Sequence, residues 1–173
     1  MRIGKRHMLA IDAWHDFFLM VGGGAAALAG LVFVAMSINL KVIIQDGTHK
    51  NRAIATLAGY TAVFMICAFA LIAEQPYLWL GVEWFIISVV AVYIYVRGLV
   101  RVYERGGSGF GSSNLRIFTG IAGYAAQIIG SLMLVVGSAA GLYIASIAMI
   151  LSFASLISGA WLLIVAACQS PGE

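Results

Sequence analysis

Five long apolar runs fill most of this sequence, and the segments between them are too short to form a second domain. The runs cover about 14–44, 52–73, 76–105, 115–136 and 141–168. A helix of about 20 apolar residues crosses the roughly 30 Å hydrocarbon layer of a bilayer. Lipid offers no partner to a backbone N–H or C=O, so only helices and closed barrels span it. Barrel strands alternate in polarity; these runs are continuously apolar. The expected fold is therefore all-α, a polytopic transmembrane bundle of five membrane-spanning helices with short loops, forming one domain over 1–173. Composition agrees: 62% of residues are hydrophobic and 10% are charged, with a mean hydropathy of +1.00. Soluble domains carry about 25% charged residues.

Breaks between the runs are legible. Gly47–Asn51 (GTHKN) is read as the first loop, and Glu74-Gln75-Pro76 as a tight turn, with Pro76 suited to open the next helix. GGSGFGSSN at 106–114 is a flexible linker, and Gly137-Ser138 a second tight turn. The first run is too long for the core of a cleaved signal peptide and is expected to remain as an anchor.

Charge placement sets the expected orientation. Lys41, Lys50, Arg52, Arg97, Arg101, Arg105 and Arg116 share one side, and Arg2, Lys5 and Arg6 the other. This bias places the N-terminus outside and the C-terminus in the cytoplasm, in what is expected to be a bacterial plasma membrane. The net charge of +3 is distributed for lipid headgroups, and nucleic acid is not an expected partner. Arg97 and Arg101 lie one turn apart with Arg105 following, a spacing suited to anionic headgroups.

Two patterns of small residues stand out. Gly22, Ala26 and Gly30 make consecutive small-xxx-small steps, widened by Gly23 and Ala27. Ala145, Ala148, Ser152, Ser155 and Gly159 recur in steps of three and four. No hydrophobic force draws helices together in lipid, so close backbone approach and dispersion must do it. Each seam fits packing within one bundle or between protomers, and a homo-oligomer or a complex with another membrane protein is expected.

Polar residues inside the runs are few. Gly120, Tyr124, Gln127 and Ser131 fall on one stripe, with Gln127 expected near the bilayer midplane and Ser155 at a similar depth. The stripe suits either interhelical hydrogen bonding or the lining of a path. Glu83 is the one acid well inside a run, roughly 10 Å along the helix from Pro76. An intramembrane carboxylate is a candidate proton or cation site. His7, Asp12, His15, Asp16 and Glu74 gather at the expected outer edge, without the spacing of a metal motif. Cys67 and Cys168 are expected to stay unbridged as small apolar fillers.

HExxH, CxxC and GxSxG are absent, and no histidine pair within the runs is placed to hold haem. No enzyme activity, cofactor or bound metal is expected. Two classes of function remain. One is an interaction or accessory subunit working through its helix faces. The other is a small cation or proton channel or transporter, using Glu83, Tyr124, Gln127, Ser131 and Ser155.

Overall fold

The computed structural model describes residues 13–38, 40, 47–104 and 114–169. Five helices occupy them: α1 (His15–Ile38), α2 (Gly47–Ala70), α3 (Tyr77–Glu104), α4 (Asn114–Val135) and α5 (Ala140–Gln169). All five are long and apolar enough to cross a membrane, and no strand occurs among the described residues. The N-terminal segment with Arg2, Lys5, Arg6, His7 and Asp12, together with Lys41, Arg105 and linker residues 106–113, lies outside the described residues.

Each helix packs antiparallel on its predecessor. Gly22 of α1 faces Cys67 of α2, Ala55 of α2 faces Gly98 of α3, and Gly81 of α3 faces Val135 of α4. Gly130 of α4 faces Ala145 of α5. α5 then returns to α2, so α2, α3, α4 and α5 form a closed ring. α1 lies outside that ring, packed along α2 and meeting α5 at its edge.

The turns follow from local chemistry. α4 ends in a Schellman motif: Ser138 N–H donates to Met133 O at 2.9 Å and Gly137 N–H to Leu134 O at 2.8 Å. Gly137 takes φ +83°, where a side chain would be strained, and the reversal is complete before α5 opens at Ala140. Between α2 and α3 the chain turns through Glu74, itself at φ 59°. Pro76 precedes α3, and its carbonyl accepts from Leu80 N–H at 3.2 Å.

The first loop differs from the sequence reading. Gly47–Asn51 belongs to α2. These residues are polar but include no proline, and helix start positions tolerate glycine and threonine. At the other end α2 stops at Ala70, three residues before the apolar run does.

Aromatic rings hold one end of the bundle, here termed the tryptophan end. Trp14 meets Tyr143 edge-on with centroids 4.8 Å apart, and Phe18 meets Trp84 at 5.7 Å. Trp84 is fully buried, and its indole N–H donates to the Ile66 carbonyl at 3.0 Å, tying α3 to α2. Such ring pairs contribute about 0.5–1.5 kcal/mol each beyond the area they cover. Arg97 and Arg101 lie at the opposite, arginine end.

Candidate functional site

The buried face of α3 runs Tyr77, Leu80, Gly81, Trp84, Ser88 and Ala91, in steps of one, three and four. It is apolar except at Ser88. The buried face of α4 carries Gly120, Gly123, Gln127, Gly130 and Ser131. Its glycines let neighbouring backbones come close. A methyl built on Gly130 would lie 2.9 Å from Ala145 N, and one on Gly123 would lie 2.7 Å from Ser152 Oγ. On α3, a methyl on Gly81 would lie 2.7 Å from Val135 N.

Near mid-helix the ring does not close completely. A cavity of about 20 Å³ opens there, lined by residues of all four ring helices. α2 supplies Gly59, Val63 and Ile66, and α3 supplies Ser88 and Ala91. α4 supplies Tyr124 and Gln127, and α5 supplies Met149, Ser152 and Leu156. Ser88 is 1% exposed and Gln127 is 5% exposed. Neither Ser88 Oγ nor Gln127 Nε2 has a hydrogen-bond partner within the protein. Most buried polar groups in folded proteins are paired, so two orphans on one cavity mark it as the polar centre of the bundle.

The stripe read from the sequence divides. Tyr124 and Gln127 line the cavity, and the Tyr124 ring packs on Tyr95 with centroids 5.5 Å apart. Ser131 is fully buried, but its hydroxyl bonds back to Ile128 O at 2.7 Å. Ser155 likewise bonds to Ser152 O at 2.8 Å, and neither residue lines the cavity. Glu83 also lies apart from it. Its carboxylate accepts from Gln75 Nε2 at 2.5 Å, across the α2–α3 turn, and Glu83 is half-buried.

The tryptophan end is itself a packed plug. Phe18, Leu80, Trp84, Leu134 and Leu142 belong to one core cluster, and each is at most 1% exposed. No charged residue lines the cavity.

The two small-residue seams behave differently. On α5, Ala145, Ala148 and Gly159 are buried and Ser152 is half-buried. Ala145 and Ser152 pack on the α4 glycines. On α1, Gly22 is buried, and a methyl there would lie 2.9 Å from Cys67 Cβ. Ala26 and Gly30 point away from the bundle with Gly23 and Ala27, and all are exposed. Nothing lies within 4 Å of a methyl built on Gly23 or Gly30.

Arg97 and Arg101 are exposed, and the Arg97 guanidinium donates to the Tyr93 hydroxyl at 2.8 Å. Cys67 is buried and unbridged. No group of three His, Cys, Asp or Glu converges to hold a metal among the described residues.

Ser88 lines the site and Gly81 sets a close approach of α3 to α4, yet neither stands out in sequence. The signal for them was available: on α3, Gly81, Trp84, Ser88, Ala91 and Tyr95 follow the same three-and-four spacing that marks the α5 seam.

The fold and its polar centre define a small polytopic α-helical membrane bundle. The chain matches no protein-family model, no curated protein and no solved structure.

Proposed function

We propose that the chain is a membrane-embedded interaction subunit that assembles through the open face of α1, in the first instance with a second copy of itself. Its N-terminus is outside and its C-terminus cytoplasmic in this reading, following the seven-to-three basic bias. The observation that carries the proposal is the α1 surface. Gly23, Ala26, Ala27 and Gly30 are exposed at packing spacing, with open space beside the glycines. α1 is also the one helix outside the ring, so a partner can meet it without disturbing the core. Small residues on a lipid-facing helix permit the close approach that membrane helix association requires.

The channel reading has less support. Glu83 is held by Gln75 at the tryptophan end, apart from Gln127. The plug of Phe18, Leu80, Trp84, Leu134 and Leu142 fills the bundle core at Glu83's own end.

Native mass spectrometry from mild detergent and from nanodiscs tests the proposal. Wild type is expected above monomer mass, and Ala26→Leu or Gly23→Leu is expected to reduce it to monomer. A wild type that is strictly monomeric in both media overturns the assembly reading.

A further inference from the structure

The mid-bundle cavity has contents that its own chemistry specifies. We propose that it binds a single water molecule, bridging Ser88 Oγ on α3 and Gln127 Nε2 on α4. Three observations lead there. The first is size. The cavity measures about 20 Å³, and roughly 10–15 Å³ on the same measure holds one water. The second is unmet bonding capacity. Ser88 and Gln127 are at least nine-tenths buried, both line the cavity, and both polar atoms lack a protein partner. A buried water needs two to four polar partners. It accepts from the amide N–H of Gln127 and completes its bonding at the serine hydroxyl, which both donates and accepts. Tyr124 and Ser152 line the same space and offer further hydroxyls. The third is neutrality. No charged residue lines the cavity, and an ion there would be desolvated without compensation. The amide donor also opposes a cation.

The bridge gives the polar centre a definite role: it joins two ring helices at the level where their side chains leave a gap. It makes no conducting file, since the packed plug blocks one side.

The direct test is a structure of the wild type from lipidic mesophase crystals at about 2 Å. One density peak within about 2.7–3.2 Å of both Ser88 Oγ and Gln127 Nε2 is expected. Absence of the peak, a larger occupant, or a direct Gln127–Ser88 contact closing the gap overturns the proposal. Soaks with rubidium chloride and with sodium bromide are expected to leave no anomalous peak at the site. A peak in either soak replaces the water with an ion and overturns it.

Thermal unfolding of Ser88→Ala, Gln127→Leu and the double variant gives a second measurement. Each single change strands the other polar group, so each is expected to lower the midpoint. The double change strands neither, and its loss is expected to be smaller than the sum of the two. Additive losses overturn the bridge. Should a variant fail to fold, the wild-type density alone decides.

Discussion

At the scale of single residues, the closest backbone approaches decide which side chains the bundle tolerates. A methyl on Gly141 would lie 2.5 Å from the Gly130 carbonyl oxygen and 2.9 Å from Leu134 N. Both are backbone atoms, which no rotamer change can move aside. Gly141→Ala is therefore expected to lower stability by about 1–3 kcal/mol, the usual cost of overpacking. Unfolding in mixed micelles measures it, and an unchanged midpoint would show that α4 and α5 can separate at little cost. Glu83 presents the opposite case. A glutamine there keeps an acceptor oxygen for Gln75 Nε2, so Glu83→Gln is expected to stay within about 0.5 kcal/mol of wild type. In proteoliposomes with a pH-sensitive dye, neither protein is expected to carry protons above the level of empty liposomes. Flux in the wild type that Glu83→Gln abolishes would restore the channel reading.

At the scale of the element, α1 carries two adjacent glycines with opposite environments. Gly22 meets Cys67, whereas Gly23 meets nothing within 4 Å. Gly22→Val is expected to destabilise the chain by about 1–3 kcal/mol by pushing α1 off α2. Gly23→Val is expected to leave the stability of the single chain within about 0.5 kcal/mol while still weakening assembly. Equal stability losses at the two positions, read by unfolding under monomeric conditions, would mean that α1 is not oriented as described. The contrast also shows what the sequence could and could not convey. Apolar length announced each helix, and Pro76 and Gly137 announced two of the turns. The small residues of α1 announced a close approach, but a spacing of four joins Gly22 to Ala26 without saying that one faces the bundle and the other faces away. That division depends on the azimuth at which α2 packs, which is a tertiary property.

At the scale of the whole molecule, the ring explains why the polar site was only half legible. Depth along each run follows from residue counts, and it put Gln127 near the middle. Ser88 lies at a matching level on α3, but a lone serine among Ile, Val and Trp gives no warning until the ring order places α3 beside α4. Glu83 drew attention as an acid in an apolar run, yet the α2–α3 turn supplies Gln75 as its partner. Orientation is a further property of the whole chain. With Cys67 and Cys168 replaced by alanine, Ile3→Cys is expected to react with an impermeant thiol reagent on intact cells, and Ser112→Cys to be protected. The reverse pattern would place the C-terminus outside. The order of helices around the ring also has a consequence for synthesis. Every helix neighbours its predecessor, so contacts form locally as the chain leaves the ribosome. The ring nevertheless stays an open arc until α5, made after the other four, meets α2. Until that moment the cavity that Ser88 and Gln127 line lacks its wall of Met149, Ser152 and Leu156. A nascent chain halted before α5 thus leaves that polar centre open on one side, in hydrocarbon where an unsatisfied polar group is costly.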